Sequence, residues 1–216
     1  MTHTRARLRR IFAGGLAALL GTGGCTAAPA EPADPPAGGN RPAVGFTATV
    51  TVDGQAIRIS YQLVNQSADE LIVLNRVPAY TAAGTEKADP NAVYVVGQAK
   101  SHTVEIGKRA FPMPDSGKKT WVQAARVSGV TVPPGQSVGE ELTVALPLVR
   151  RHPYGDDFGE GTIALPDPIE ELVFCVGVVR RSEAQGAATS GDMITLPHLI
   201  STTSVQHLFC SAATKF

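Results

Sequence analysis

The densest run of chemically capable side chains in this sequence is Arg150–Glu160, RRHPYGDDFGE. It sets the guanidiniums of Arg150 and Arg151, the imidazole of His152 and the phenol of Tyr154 beside the carboxylates of Asp156, Asp157 and Glu160. The surrounding segment, residues 149–168, carries no strand or helix pattern. Long irregular loops on a rigid scaffold commonly hold binding residues. Arg150, Arg151, His152, Tyr154, Asp156 and Asp157 are therefore the candidate partner-binding set. The alternative is a solvated connection whose charges neutralise one another. The carboxylates could offer oxygens to calcium, but their spacing fits no EF-type loop.

Other chemistry is thinner. Ser116-Gly117-Lys118-Lys119 matches the Ser-x-x-Lys motif of penicillin-binding enzymes, which starts a helix and has companion motifs. Here neither the helix pattern nor the companions are present, and a polar turn is expected instead. His102, His152, His198 and His207 do not pair at strand or helix spacing, and Met113 and Met193 are too few for a soft copper site. Asn65-Gln66-Ser67 is a glycosylation sequon by pattern only. No metal, no cofactor and no catalytic residues are expected, and the chain reads as a non-enzyme.

The elements that would position such a loop begin after an unusual N-terminus. Arg5, Arg7, Arg9 and Arg10 precede the apolar run Ile11–Leu20, and small residues follow up to Cys25. A basic stretch, a short apolar run and a small-residue cleavage site make a secretory signal over residues 1–24. The run is about half the ~20 residues a spanning helix needs. Gly23-Gly24-Cys25 resembles the lipobox of bacterial lipoproteins, with Thr22 where that family usually carries leucine. The resemblance covers residues 1–25 and implies that Cys25 becomes the lipidated first residue of the mature chain. Arg9-Arg10-Ile11-Phe12 also resembles part of a twin-arginine signal, so export runs by the Sec or the Tat route. The expected location is extracytoplasmic, on a cell membrane. An ordinary secretory peptide cut near Gly24, Ala27 or Ala28 is the alternative.

The cysteine count fits this. Besides Cys25 there are only Cys175 and Cys210. If Cys25 carries lipid, an even pair is left in an oxidising compartment, and a Cys175–Cys210 disulfide is the simplest outcome. Closing that separation of 35 residues restricts the unfolded chain by about 3.8 kcal/mol in the loop-entropy account. Two buried free thiols are the alternative.

Four of the 19 basic residues and none of the 19 acidic ones lie in the signal, which leaves the mature chain at −4. A slightly acidic surface without a basic cluster argues against nucleic-acid binding. Residues 25–42 are rich in Pro, Ala and Gly and read as an extended tether of about 50 Å at most. One domain, residues 43–216, follows.

Its pattern is of period two. Val44, Phe46, Ala48, Val50 and Val52 alternate with small and polar residues up to Asp53-Gly54. Ile57, Ile59, Tyr61 and Leu63 then alternate with polar residues. That is a hairpin with one apolar face. Further strands are expected in Glu70–Val77, Val93–Val96, His102–Ile106, Trp121–Val132, Val138–Leu148, Glu170–Val179 and Thr202–Cys210, with Ser182–Asp192 as a polar loop. No stretch has a sustained helical period. About eight short strands with Gly/Pro turns make an all-β antiparallel sandwich. The turn Pro133-Pro134-Gly135-Gln136 leading to Leu142-x-Val144 resembles that of bacterial immunoglobulin-like domains. The antibody-type Cys–Trp–Cys order is absent, because Trp121 precedes both cysteines.

The leading functional expectation is a membrane-tethered, non-catalytic module that binds a protein or glycan in the cell envelope. One alternative is a protease-inhibitor-like sandwich presenting residues 150–160. Another is an envelope enzyme whose site is assembled from distant loops.

Overall fold

A computed structural model describes residues 29–80, 86–87, 89–98 and 101–216. Cys25 and the stretch expected to act as an export signal lie outside them. Among the described residues, no helix is long and apolar enough to cross a membrane.

The expected hairpin forms as β1 (Val44–Val52) and β2 (Ala56–Asn65), antiparallel and in unbroken register from Val44↔Asn65 to Val52↔Ile57. Asp53 closes the turn by accepting the amide of Ala56 at 3.0 Å, and Gly54 takes φ +84°, a conformation natural only to glycine. The other edge of β2 pairs with a strand much later in the chain, completing a 3-stranded sheet. Its inner face is Ile57, Ile59, Tyr61 and Leu63, and its outer face is threonine-rich.

The second sheet has 9 strands. In chain order the elements after the hairpin are β3 (Leu71–Arg76), β4 (Ala79–Tyr80), β5 (Glu86–Lys87), β6 (Tyr94–Gln98), β7 (Thr103–Lys108) and β8 (Arg126–Val132). Then come β9 (Ser137–Ala145), the partner of β2, and β10 (Glu171–Arg180), β11 (Ala188–Ser190) and β12 (Met193–Pro197). A single helical turn, α1 (Ile200–Thr203), precedes β13 (His207–Cys210) and β14 (Thr214–Lys215). β4 and β5 pair with each other.

The all-β sandwich expected from sequence is present, with more strands than the eight anticipated. Two details differ further. Residues 188–197, half of them assigned to a polar loop, form the β11–β12 hairpin. The strand expected over Thr202–Cys210 starts only at His207, because Thr202 and Thr203 belong to α1.

The larger sheet is also not purely antiparallel. β7 runs parallel to β10 from Glu171↔Thr103 to Val176↔Lys108. β10 meets β3 antiparallel along the same edge, but only from Val178 to Arg180. The sheet therefore forks on β10. One arm continues through β3, β8 and β12, and the other through β7 and β6. On its other edge β3 pairs antiparallel with β8, with a register break between Val73 and Arg76. A Cβ on Gly129 of β8 would stand 2.2 Å from the Val73 carbonyl oxygen, so only glycine fits there. On its opposite edge β10 pairs with β13 and β14.

The two sheets enclose the main core: Ile57, Ile59, Leu63 and Leu142 of the small sheet against Leu71, Val104, Ile106, Leu172, Phe174, Val176 and Val178 of the large one. The expected face Leu172–Phe174–Val176–Val178 is thus correct. A second core, Ile72, Leu74, Val127, Val179, Ile194 and Leu196, lies on the far side of the large sheet. That sheet is covered on both faces, which is why its strands read as continuous apolar runs.

The Pro-rich segment expected to run free up to Pro42 does not do so from Pro29 onward. Glu31 binds Arg150, Asp34 binds Arg109 at 2.9 Å, and the amide of Gly38 donates to Ser204 at 2.6 Å. Arg41 donates to the Leu208 carbonyl at 2.7 Å and lies 4.2 Å from the centroid of Phe209. Lacking large apolar side chains, this strap is held by its charges and backbone.

Candidate functional site

The candidate loop turns most of its chemistry inward. Arg150 makes a two-pronged contact with Glu31 at 2.7 and 2.8 Å and donates to the Gly155 carbonyl at 2.7 Å. Arg151 exchanges backbone hydrogen bonds with Val95 at 2.9 and 2.8 Å, which stitches the loop to β6. Its guanidinium donates to the carbonyls of Val93 and Pro78. His152 is buried, edge-on to Phe111 and Phe158 with centroids 4.8 and 4.9 Å away. Tyr154 is buried as well and donates to the His198 carbonyl. Asp156 is exposed. Asp157 accepts the amides of Gly159 at 2.7 Å and Gly161 at 3.2 Å and pairs with Lys119 at 3.0 Å. Those amides, together with Lys119, hold its carboxyl below the usual range. Of the six candidate residues, Asp156 is exposed, Arg150, Arg151 and Asp157 are half-buried, and His152 and Tyr154 are buried.

Around His152 the structure assembles a group of rings from distant segments. Tyr94 of β6 and His198 after β12 meet at 2.9 Å, and the amide of Phe111 donates to His198 Nδ1 at 2.9 Å. Nδ1 is thus an acceptor, so in the neutral ring Nε2 carries the proton and donates to the Tyr94 hydroxyl. Trp121 packs edge-on against Tyr154 at 5.5 Å. Burial first, then the cations Arg150 and Arg109 and the neighbouring His198, push His152 down to about 3. Burial and Arg109 do the same to His198, also to about 3. Both imidazoles are neutral members of the packing at physiological pH.

A second cluster sits between the sheets at the fork. Lys108, the last residue of β7, is wholly buried. Its ammonium donates to Glu140 at 2.8 Å, to the Pro90 carbonyl at 2.8 Å and to the Asn75 carbonyl at 3.3 Å. Glu140 of β9 also accepts from the Tyr61 hydroxyl at 2.9 Å, from Asn75 Nδ2 at 3.1 Å and from Arg76. Burial lowers the Lys108 pKa, with Glu140 acting against it, and burial together with Glu140 raises that of Tyr61. The Asn75 side-chain oxygen is buried and has no hydrogen-bond partner among the described residues. A third group lies under the strap. Arg109 binds Glu105 at 2.5 Å and Asp34 at 2.9 Å and stacks 3.8 Å over Phe111. Burial opposes its charge, but the two carboxylates outweigh that and raise its pKa.

Neither cluster was singled out from sequence, although one was legible. Lys108 falls in phase with Val104 and Ile106, and Glu140 in phase with Val138, Leu142 and Val144. Opposite charges on the inner faces of two strands are a marker of a buried pair.

The remaining sequence features resolve plainly. Cys175 and Cys210 are directly opposed on β10 and β13 and form a disulfide, with Cα atoms 4.1 Å apart. Ser116 Oγ accepts the amides of Lys118 and Lys119 at 3.2 and 3.1 Å, a turn and not a nucleophile. Asn65 is fully buried and donates to the carbonyls of Asp69 and Val132, each at 2.8 Å, so it cannot carry a glycan. Among the described residues, no three of His, Cys, Asp and Glu are grouped to hold a metal. A cavity of about 800 Å³ lies beside the strap and is lined by Pro29, Pro32, Pro114, Ser116, Phe158 and Ile163 among others. Comparison with protein-family models, with curated proteins and with solved structures yields no match to this chain.

Proposed function

We propose that this protein is an exported, lipid-anchored and non-catalytic interaction module of the cell envelope, whose partner is a protein or a glycan. The disulfide carries the reading. Such bonds persist in oxidising compartments, and pairing Cys175 with Cys210 leaves Cys25 as the odd thiol, at the end of a sequence of export-signal type. The interior supports a structural over a catalytic use of its charges, because Lys108 is matched to Glu140 and Arg109 to Glu105 and Asp34.

The strap changes the geometry of the anchor. With residues from Pro29 onward docked, only residues 25–28 link a lipidated Cys25 to the domain. They span about 14 Å when fully extended, against the 50 Å of a free tether. The sandwich would ride close to the lipid surface. An inhibitory role for residues 150–160 has no comparable support, since their side chains are largely occupied internally.

Mass spectrometry of the N-terminal peptide from cells tests the anchor, with a diacylated Cys25 as the expected first residue. Cys25→Ser is expected to move the protein from the membrane fraction to the soluble one. An N-terminus beginning beyond Cys25 overturns the anchor, and turnover in a broad hydrolase screen overturns the non-catalytic role.

A further inference from the structure

The two edges of the small sheet are built differently. On β9, Glu140 turns inward to Lys108, and the amide of Thr143 is capped by the Asn91 side chain at 2.8 Å. Inward charges and covered amides are ways in which sheets block edge-to-edge pairing. β1 has neither. Its sequence, VGFTATVTV, contains no charge and no proline, and no described residue pairs with its outer edge.

The hydrogen-bond phase identifies the open amides. Gln66 donates to the Ala43 carbonyl at 3.0 Å and Asp53 to the Ala56 carbonyl at 3.0 Å. In this register the odd-numbered residues of β1 therefore bond to β2, while Val44, Phe46, Ala48, Val50 and Val52 point their amides outward. The side chains of these same residues face the core yet are only partly buried, whereas Ile57, Ile59 and Leu63 beside them on β2 are 0–1% exposed. Among the described residues, no strand flanks β1 on its open side.

The strand is also nearly symmetric about Ala48. Laid antiparallel against itself with Ala48 opposite Ala48, Phe46 meets Val50 and Val44 meets Val52 on the inner face. On the outer face Thr47 meets Thr49. Apolar and Thr–Thr cross-strand pairs are favourable, and no like charges oppose. In this register the outward amides of one strand face those of the other.

We propose that β1 is the contact through which two copies of this chain associate, antiparallel and two-fold symmetric, joining their small sheets into one. An isologous contact of this kind closes on itself and does not propagate. It covers the half-buried inner residues of β1 and does not depend on the anchor. The same edge chemistry would accept an extended segment of another protein, and the near-symmetry of the strand is what favours a second copy.

Register-specific cross-linking of the full-length chain tests this in cells. Two copies with tags of different size are co-expressed, one carrying Thr47→Cys and the other Thr49→Cys. Directly opposed positions in a non-hydrogen-bonded pair bring Cβ atoms within disulfide reach. The expected result is a reducible hetero-linked band, lost when both copies also carry Ala48→Pro. That change removes an outward amide at an edge position where proline is tolerated. An oxidised Cys175–Cys210 pair reports that each variant has folded. Copies carrying Thr143→Cys on β9 are expected to give no band. Three results overturn the proposal: no link between folded copies, equal linking through Thr143→Cys, or linking of the Thr49→Cys copy to a different protein instead.

Discussion

The two sheets of the sandwich use the same strand chemistry in opposite settings. The small sheet is wet on one face, so its strands alternate between apolar side chains and Thr, Ser, Gln or Arg. The large sheet is covered on both faces and holds the disulfide, the neutral histidines beside it and the buried cations Lys108 and Arg109. A charge that cannot reach water must be matched, so sensitivity to change should concentrate in the large sheet and its seam with β9. The outer face of the small sheet should be nearly indifferent.

The largest effect is expected at that seam. Glu140→Ala leaves the Lys108 ammonium buried with only carbonyl partners, which should cost about 3–5 kcal/mol. Glu140→Ala combined with Lys108→Met should recover much of that loss in urea unfolding. If the single change proves harmless, the seam is not organised by charge.

Next comes the cross-strand disulfide. Cys175→Ser with Cys210→Ser should lower stability by about 2–5 kcal/mol, the usual range for removing such a bond. Unfolding with and without reductant checks this in the unmutated protein as well.

The histidines then give the large sheet a pH signature. Folded pKa values of about 3 lie below the ordinary 6.5, so between these limits the unfolded chain binds protons that the folded chain refuses. Stability is therefore highest above 6.5 and declines as pH falls toward 3, by at most about 1.4 kcal/mol per pH unit for each histidine. Urea midpoints across that window should show the slope, and His152→Gln should reduce it.

The smallest effect is expected on the wet face of the small sheet. Thr47→Lys with Thr49→Lys should change unfolding free energy by less than about 0.5 kcal/mol. Yet it should abolish self-association in sedimentation, because each lysine then faces one on the partner copy. Thr143→Lys on β9 should change neither quantity.

Legibility in the sequence divides along the same line. The β1–β2 hairpin could be read to its turn residues, because a wet face and a dry face impose strict alternation. In the large sheet, Glu170–Val179 was readable as a strand but not as the fork of its sheet. Its parallel partner, β7, lies far away in sequence, and a strand buried on both sides leaves no phase to read. β11 was lost in a stretch of small polar residues, and β12 offered little more than Ile194 and Leu196 in alternation. The loop at 150–160 was recognisable as irregular, but not as inward-facing. The partner of Arg150 is Glu31, 119 positions earlier, in a segment that composition alone marks as unable to fold. Lys108 and Glu140 are legible by phase, because each falls on the apolar face of its strand.

The docked strap has a mechanical consequence. Tension applied at the N-terminal end does not load β1 first. It meets Glu31–Arg150, then Asp34–Arg109, then the backbone contacts at Gly38 and Asn40, each of which can open singly while the sheets stay intact. A pull on the chain is thereby absorbed as a sequence of small releases, each lengthening the leash before any core strand bears load.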